Sequence, residues 1–203
     1  MKIRKIIILL YKFKILKRII PTTLKVFVKF FIIKEIKIIH NDLIFLLNPN
    51  NPIDREIYLK DKYESDQITF LEKKIEENDI KIFIDIGAHM GFYSINLSKK
   101  KINIYAFEPI LENFTQLKKN ILVNKIYNIK TYNCALSNIR KLVTMWVPDK
   151  NRTGGFAIFN KDDEALKKYE MKNINTKVIQ SDIGDNLLDI KKSIIAIKID
   201  VER

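Results

Sequence analysis

The chain has 203 residues, of which 47% are apolar and 30% are charged, and its formal net charge is +13. This composition excludes a disordered or collagen-like chain, and the length allows one folded domain with a short extension. The charge is unevenly placed, because residues 1–34 contain ten Lys or Arg and no acid, which leaves +3 for the rest. Since that remainder is nearly neutral, we predict no nucleic-acid partner.

The cysteine content and the apolar runs bear on cellular location. A single cysteine, Cys134, excludes a disulfide within the chain and fits a reducing compartment, so a cytoplasmic location is predicted. Lysines interrupt every apolar stretch before it reaches the roughly 18–20 residues that a spanning helix needs. The best early apolar stretch, Ile6 to Tyr11, is too short for a secretory signal and lacks a cleavage site of small residues.

Residues 1–35 are assigned to a basic, apolar N-terminal arm, in which residues 1–33 predict two short helices separated at Pro21. In the second helix a polar face lies opposite an apolar face. The polar face comprises Arg18, Thr22, Lys25 and Lys29, and the apolar face comprises Leu24, Phe27, Val28 and Phe31. Two interpretations stay open: peripheral contact with the inner face of a membrane, or packing on the chain's own domain or a partner chain.

Residues 36–80 are predicted to lead into the main domain. Apolar residues at 36–47 predict β structure, and the Asn- and Pro-rich stretch at 48–52 predicts a turn. A helix is predicted at Asp66–Glu77. We therefore expect a strand, turn and helix before the central part of the fold.

Residues 81–203 are predicted to form the main domain, because strands and helices alternate along them. The first five elements are predicted at Ile82–Asp85, Phe92–Lys100, Ile102–Phe107, Pro109–Val123 and Ile129–Asn133. This alternation predicts βαβ units, that is, an α/β fold with a parallel sheet and helices on both faces. Pro109 suits the first position of the second helix.

The later part of this domain is less regular. Strands are predicted at Leu142–Val147, near Val178 and at Ile194–Ile199. A Gly-Gly loop at 154–155 and a charged segment at 161–172 are predicted between the first two of these strands.

Two of the five glycines, Gly87 and Gly91, lie four residues apart between the first strand of this domain and its helix. In a glycine-poor chain this placement indicates a tight turn at which a ligand approaches a helix N-terminus; the alternative is an ordinary strand-to-helix turn. A nicotinamide site would require a glycine where the chain has His89. The pattern D-x-G-x-x-x-G, which begins at Asp85, favours S-adenosyl-L-methionine, whose cationic end Asp85 would face while the turn, with Ala88, contacts the cofactor.

Further cofactor contacts are predicted after the second and third strands. Glu108 lies 21 residues beyond Gly87, where a carboxylate can accept hydrogen bonds from both ribose hydroxyls. Its alternative role is that of an acid at a helix N-terminus. Asn133 and Ala135 follow the third strand, at the place where an adenine would lie.

Four segments in chain order resemble the successive motifs of the FkbM-type methyltransferases. They are Ile84–Ser94 (IDIGAHMGFYS), Ala106–Pro109 (AFEP), Asn133–Asn138 (NCALSN) and Lys198–Glu202 (KIDVE). Two shorter pairs, Tyr63-Glu64 and Ser181-Asp182, also resemble elements of this family, so the resemblance spans residues 55–203. It implies a Rossmann-like class I fold with strand order 3-2-1-4-5-7-6 and S-adenosyl-L-methionine as methyl donor. It further implies O-methylation of a hydroxyl on a sugar, polyketide or other small or lipid-linked metabolite.

The sequence departs from the family pattern at two positions. The family usually has Asn where this chain has His89, and it has Gly where this chain ends at Arg203. We therefore expect a fragment or truncated reading frame that lacks the last strands of the class I sheet. In that case Ile194–Ile199 is expected to form an apolar, unprotected edge strand.

Methyl transfer to an oxygen requires an in-line acceptor and a group that takes its proton. Asp200 ends the fourth strand, at the carboxyl edge where ligands bind in open α/β sheets, so it is the first candidate for a base or acceptor-orienting group. Glu202 and His89 are the second candidates, and the alternative for Asp200 is an acid that caps a turn. No zinc-type cluster is present in the sequence; a divalent metal at Asp182 or Asp200 stays an open alternative.

Three functions are compatible with this sequence. The first is an O-methyltransferase with a small-molecule, glycan or lipid-linked acceptor. The second is a catalytically inactive remnant or binding module that keeps part of a cofactor pocket, and the third is a membrane-surface adaptor that works through residues 1–33. The identity of the acceptor and the oligomeric state are not predicted.

Overall fold

The fold is taken from a computed structural model of the chain, and its contacts divide the chain into two compact units, Met1–Ser65 and Asp66–Arg203. The residues that the structure describes are 2–60, 62–147, 157–158, 175–188, 190 and 193–201. The predicted Gly-Gly loop at 154–155, the charged segment at 161–172 and the candidate Glu202 lie outside these ranges.

The first unit begins with two helices, α1 (Lys2–Tyr11) and α2 (Leu16–Phe30). The break between them lies at residues 12–15, so the prediction of a break at Pro21 is wrong. Pro21 lies inside α2 and removes one backbone donor, but the helix continues because its later turns are held by packing, with Val28 only 1% exposed. No helix among the described residues is both long and apolar enough to cross a bilayer.

A β-hairpin follows the two helices. Strands β1 (Ile36–His40) and β2 (Leu43–Leu47) pair antiparallel. The two residues between them, Asn41 and Asp42, have φ values of 49° and 60°. These values are typical of the two-residue type I′ turn that suits hairpins, so the β structure predicted at 36–47 is two strands joined by this turn.

The helix α3 (Pro52–Leu59), which was not predicted, completes this unit. Asn51 caps it by accepting a 2.9 Å hydrogen bond from the backbone N–H of Ile53. Pro52 occupies the first helical position, where a missing N–H is tolerated. The Asn- and Pro-rich stretch is therefore a turn that also starts a helix.

The helices and strands from residue 65 onward alternate, as predicted, through the first part of the second unit. In chain order they are α4 (Ser65–Glu77), β3 (Ile82–Ile86), α5 (Phe92–Leu97), β4 (Asn103–Phe107), α6 (Leu111–Val123), β5 (Ile129–Tyr132), β6 (Ala135–Leu136), β7 (Lys141–Val147), β8 (Ala157–Ile158), β9 (Asn175–Asp182), α7 (Gly184–Leu187) and β10 (Ile195–Ile199).

The central sheet is parallel, in the order β10-β3-β4-β5. This is the predicted α/β Rossmann-like arrangement. Strands β3 and β10 correspond to the first and fourth strands of the class I order, and they are neighbours in the sheet. Phe83 and Leu97 are fully buried where α4 and α5 pack on one face, and Leu117 is fully buried where α6 packs on the same side. Leu187, at the end of α7, packs with the residues after it on the other face.

A second sheet was not predicted. Its order is β6-β9-β7-β8, and the long pairing of β7 with β9 is antiparallel. The strands predicted at Leu142–Val147 and near Val178 are thus partners of each other and do not belong to the central sheet. Among the described strands, β10 forms one edge of the central sheet, where Ile197 is 51% and Ile199 is 66% exposed.

Helix α6 begins at Leu111, so the prediction that Pro109 occupies its first position is wrong. Ile110 precedes the helix with extended backbone (φ −81°, ψ 115°). The Glu108 carboxylate accepts a 2.8 Å hydrogen bond from the Ile110 N–H, which keeps Pro109 in the turn before the helix. Ile110, before the helix, is 2% exposed, and Leu117, within it, is 0% exposed.

Candidate functional site

The carboxyl ends of β3, β4 and β10 meet at one edge of the central sheet, which is where ligands bind in open α/β folds. Asp85 lies near the end of β3, Glu108 directly follows β4, and Asp200 directly follows β10. The structure therefore brings together candidate residues from three of the four sequence motifs.

Gly87 and Gly91 both have the backbone conformation that glycine tolerates best, with φ values of 79° and 89°. A Cβ atom on Gly87 would overlap the backbone oxygen of Asp200, and one on Gly91 would overlap the side chain of Leu117. The tight turn is thus as predicted, but the groups that approach these glycines belong to the chain itself. Gly87 allows the loop to contact the end of β10, and Gly91 allows α5 to pack on α6.

Asp85 is almost completely buried, with 1% of its surface exposed. One carboxylate oxygen, Oδ2, accepts a 2.7 Å hydrogen bond from Ser94 Oγ, and the other, Oδ1, lies 3.2 Å from Lys198 Nζ. The Asp85 carboxylate therefore has a hydroxyl and a cation as partners. A ligand atom can reach it only if Ser94 or Lys198 gives way.

Lys198 is the centre of a group of polar contacts that the sequence did not reveal. Its ammonium also lies 3.4 Å from the backbone oxygen of Gly87, 3.6 Å from Asp200 Oδ2 and 4.9 Å from the centre of the Tyr93 ring. These groups, with Asp85, are all types that attract a cation. One indication of these contacts was present in the sequence, a lysine within an otherwise apolar strand. It did not indicate the partner of this lysine, because the partner is set by the strand register that pairs Lys198 with Asp85.

Glu108 joins the glycine loop to the end of β4. Its Oε2 accepts a 2.8 Å hydrogen bond from the His89 N–H, and its Oε1 accepts one of 2.8 Å from the Ile110 N–H and one of 3.4 Å from Asn113 Nδ2. Burial raises the pKa of Glu108 to about 7, although these hydrogen bonds oppose the shift. Oε2 keeps a lone pair for a further donor, while Oε1 already accepts two hydrogen bonds.

His89 lies on the glycine loop in a left-handed conformation, with a φ of 52°. Burial and the nearby Lys198 ammonium lower the pKa of His89 to about 4, whereas Asp200 raises it. The imidazole is therefore neutral at pH 7, and it lies within electrostatic range of both Lys198 and Asp200.

The remaining candidates differ in how close they lie to this group. Asn133 is exposed, and its Nδ2 donates to the backbone oxygens of Glu108 (2.8 Å) and Pro109 (3.1 Å), so it lies beside the end of β4. Ala135 belongs to β6 and packs in the cluster around Ile110. Ala88, on the glycine loop, is 5% exposed and packs in a cluster that includes Leu117.

The acidic residues considered for a metal do not form a cluster. Asp182 ends β9 in the second sheet and lies 3.6 Å from Arg140 Nε, whereas Asp200 has a side chain that is 79% exposed at the end of β10. Within the part of the chain that the structure describes, no three His, Cys, Asp or Glu side chains come together as metal ligands.

An open cleft of about 510 Å³ lies between α4 and β10, next to the Lys198 ammonium. Most of its lining is apolar or aromatic. The lining residues are Asp66, Gln67, Phe70, Leu71, Tyr93, Ile197 and Lys198. Because Tyr93 and Lys198 belong both to the cleft and to the cation contacts, the cleft opens beside the buried Asp85.

Comparisons with known proteins address the family and the fold. Residues 85–202 match the family described as the methyltransferase FkbM domain. No curated protein matches the chain in sequence.

Several solved structures are similar in fold, each over about half of this chain. TYW2 from M. jannaschii, in complex with AdoMet, is 21% identical over 48% of this chain and 42% of its own, with a TM-score of 0.38. A SAM-dependent methyltransferase from Agrobacterium tumefaciens is 10% identical over 50% of this chain and 33% of its own (TM-score 0.40). The tRNA (uracil-54, C5)-methyltransferase of Pyrococcus abyssi, in complex with S-adenosyl-L-homocysteine, is 18% identical over 49% and 24% (TM-score 0.34). The chain thus spans between a quarter and two fifths of the length of these structures.

Proposed function

The chain belongs to the FkbM methyltransferase family, and from this premise we propose that it binds S-adenosyl-L-methionine and methylates a hydroxyl group on a small, glycan or lipid-linked acceptor. The observation that carries the proposal is the convergence of Asp85, Glu108 and Asp200 at the carboxyl edge of the sheet, around a loop that contacts the end of β10 through Gly87. An edge of this kind is where α/β folds place ligands.

The residues at this edge fit a cofactor with a cationic end. Asp85, the Gly87 carbonyl and Tyr93 surround one ammonium, that of Lys198, so the cationic end of the cofactor would take the place of this ammonium beside them. In the proposed site Asp85 and the loop residues Gly87 and Ala88 hold the methionine end. Gly91 shapes the turn into α5.

The ribose and adenine are proposed to lie beside the ends of β4 and β5. The Oε2 atom of Glu108 can accept a hydrogen bond from a ribose hydroxyl in addition to the one from His89. Asn133 and Ala135 are proposed to lie beside the adenine, because Asn133 is held next to Glu108 by its hydrogen bond to that residue's backbone.

When bound, S-adenosyl-L-methionine supplies a methyl group on a positively charged sulfur. Asp200 is proposed to accept the proton of the acceptor hydroxyl while the oxygen–methyl bond would form and the sulfur–methyl bond would break, with its electron pair left on the sulfur, since the carboxylate of Asp200 is 79% exposed and accessible. Lys198, 3.6 Å away, orients that carboxylate. His89 and Glu202 are proposed as the second candidates for this role; the pKa of His89, lowered to about 4, leaves its imidazole neutral at pH 7.

The surroundings of Asp200 support an acceptor with an apolar portion. The cleft beside Lys198 is lined by Phe70, Tyr93 and Ile197, which suit an alkyl or ring system better than a phosphate backbone. The net charge of only +3 on residues 35–203 supports a metabolite acceptor over a nucleic acid. We propose that the protein acts in the cytoplasm, in peripheral contact with the inner face of the membrane.

The donor site is tested by calorimetric titration of S-adenosyl-L-methionine into the purified full chain. We expect saturable binding that Glu108→Ala weakens by roughly 1–3 kcal/mol, because the ribose hydroxyl of the bound donor loses its acceptor. The exposed Glu112→Ala serves as a matched control and should leave the affinity unchanged. A folded chain that shows no binding heat contradicts the proposal.

Catalysis is tested separately, by transfer of a labelled methyl group to sugars, polyketide lactones, lipid-linked saccharides and bulk tRNA. We expect label in a hydroxyl-bearing metabolite, and we expect Asp200→Asn to reduce the rate without weakening donor binding. Label in tRNA alone contradicts the proposed acceptor class. Donor binding without transfer to any acceptor favours the alternative of a binding module.

A further inference from the structure

The N-terminal arm exposes an unusual amount of apolar surface. Eleven large apolar side chains between residues 6 and 32 are at least 39% exposed, although the arm is helical and packs within its own unit. They are Ile6, Leu9, Leu10, Phe13, Ile15, Ile19, Val26, Phe27, Phe30, Phe31 and Ile32. Exposed apolar surface of this extent on a folded chain indicates a contact with a partner or a membrane.

Helix α2 presents three distinct faces. Leu24 and Val28, four residues apart, lie on the inward face, where Val28 is 1% exposed. Ile19, Val26 and Phe30 recur at spacings of seven and four and form a stripe that is between 49% and 78% exposed. The face predicted from sequence to be apolar is only partly buried, because Val28 is 1% exposed whereas Phe27 and Phe31 are 51% and 58% exposed, and the stripe lies outside that predicted face.

The basic residues form the third face, next to the exposed stripe. Arg18, Lys25 and Lys29 precede Ile19, Val26 and Phe30 by one residue each, which places the two faces about 100° apart around the helix. All three basic residues are exposed. An apolar stripe flanked by cations is the arrangement of helices that lie in the interface of an anionic membrane.

We propose that α1 and α2 lie on an anionic lipid surface, with the stripe of Ile19, Val26 and Phe30 inserted among the lipid chains and the flanking Arg and Lys side chains at the headgroups. This inference goes beyond the methyltransferase function and does not depend on it. Charge complementarity selects the partner: residues 1–34 contain ten cations and no acid, so a surface of negative headgroups is their natural counterpart. A second copy of the arm would bring like charges together, which opposes pairing through this face.

The arm is fastened to the rest of its unit and is not a loose tail. Arg4 in α1 donates hydrogen bonds to the backbone oxygens of Tyr58 (2.9 Å), Ile57 (3.3 Å) and Lys60 (3.4 Å), at the end of α3. Its guanidinium also lies 5.7 Å from the centre of the Tyr58 ring. A deletion of the arm would therefore disturb the unit, and substitutions at exposed positions give the cleaner test.

The apolar stripe is tested in the full chain with the double variant Val26→Ser and Phe30→Ser, by co-sedimentation with phosphatidylglycerol vesicles. We expect partitioning onto the vesicles to fall at least about tenfold, because two inserted side chains are lost. The matched control replaces two large side chains of the second unit that are at least as exposed, Leu122→Ser and Tyr127→Ser, and should partition like the wild type.

The contribution of the basic face of α2 to vesicle binding is tested with the double variant Lys25→Gln and Lys29→Gln. Each cation near an anionic surface contributes about fivefold, so we expect partitioning to fall about 25-fold. The exposed pair Lys125→Gln and Lys141→Gln carries the same loss of charge outside the arm and should leave partitioning nearly unchanged. Phosphatidylcholine vesicles should bind the wild type weakly.

A spectroscopic measurement checks insertion directly. In Phe30→Trp, the new indole should shift its emission to shorter wavelength on phosphatidylglycerol vesicles, relative to the background of the single native tryptophan. Equal partitioning of the stripe, charge and control variants overturns the proposal. So does concentration-dependent self-association that the Val26→Ser and Phe30→Ser variant abolishes while vesicle binding persists.

Discussion

The site at the sheet edge and the N-terminal arm use charge in opposite ways. At the sheet edge, Lys198 is 15% exposed and lies between the carboxylates of Asp85 and Asp200, so the charges are paired within the chain. In residues 1–34 of the arm, ten cations occur without one acid, and exposed apolar side chains lie next to them. Charges that are paired internally organise a loop, whereas an excess of cations over acids favours an external surface of opposite charge. The two regions should therefore respond differently to loss of charge.

The largest expected loss of stability follows from breaking the buried ion pair between Asp85 and Lys198. Asp85→Asn keeps the shape of the side chain but leaves Lys198 without its closest counter-charge, so we expect a loss of about 3 kcal/mol in the free energy of unfolding. Asp79→Asn is the matched control, because Asp79 forms an exposed ion pair with Lys81 and should lose less than about 1 kcal/mol. Urea unfolding measures both variants. Equal losses in the two variants would show that the buried ion pair of Asp85 stabilises the fold no more than the exposed ion pair of Asp79 does.

The pH dependence of stability tests two groups with shifted pKa values, His89 on the glycine loop and Glu108 at the end of β4. The pKa of Glu108 is raised to about 7, so its contribution to stability is complete below about pH 4.5 and is lost as the pH rises towards 7. The pKa of His89 is lowered to about 4, so its contribution is complete above about pH 6.5 and is lost as the pH falls towards 4. Each contribution is about 3 kcal/mol, and the two have opposite signs.

Because the two contributions largely cancel, we expect nearly constant wild-type stability between pH 4.5 and 6.5. Glu108→Gln should leave stability that rises with pH, since only His89 then contributes. His89→Asn should leave stability that falls with pH, and Asn tolerates the positive φ at this position. Denaturant unfolding at a series of pH values gives the slopes, and parallel curves for the three proteins would contradict these pKa shifts.

Disruption of the contact between Gly87 and Asp200 is expected to cost somewhat less stability than the changes at Asp85, Glu108 and His89. Gly87→Ala combines a φ of 79° with overlap against a backbone oxygen, so we expect a loss of about 2 kcal/mol or more. Gly184→Ala is the control, because the nearest atom to its new Cβ, Leu136 Cδ1, lies 3.6 Å away and its φ is not in the left-handed region. Thermal unfolding should separate the two, and a stable Gly87→Ala protein would show that the loop can move away from β10.

The smallest expected loss of stability is in the arm. There, removal of charge should affect vesicle binding much more than folding. Lys25→Gln with Lys29→Gln should change the free energy of unfolding by no more than about 0.5 kcal/mol, because both side chains are exposed. The same variant is expected to lose most of its vesicle binding. A large loss of stability, measured by urea unfolding, would mean that these lysines organise the arm internally, as Lys198 does at the sheet edge.

Sequence patterns predicted the features that depend on neighbouring residues. The apolar runs and the helix between them predicted the parallel strands β3 and β4, and a simple rule about strand ends placed Asp85 and Glu108 at one edge. The scarcity of glycine correctly indicated a backbone requirement at Gly87 and Gly91. These inferences succeeded because each depends on contacts within a few residues or on a single sheet rule.

Features that depend on distant pairing were not predictable in this way. The contact between Lys198 and Asp85 depends on the register of two strands 113 residues apart, and the pairing of β7 with β9 is similarly remote. Local rules also failed where packing overruled them: Pro21 lies inside α2 because that helix is held by burial of Val28. The assignment of the cofactor contacts remains a prediction for the titrations described above.

For the proposed methyl transfer, the contact between the glycine loop and the end of β10 would have a kinetic consequence. Gly87 lies directly against the backbone of Asp200, so the loop proposed for the donor and the acid proposed for the acceptor cannot shift independently. A donor that settles the loop would at the same time settle the position of Asp200. Such a linkage favours an ordered reaction in which the donor binds first, and an acceptor that meets an empty loop would find its own site only partly formed.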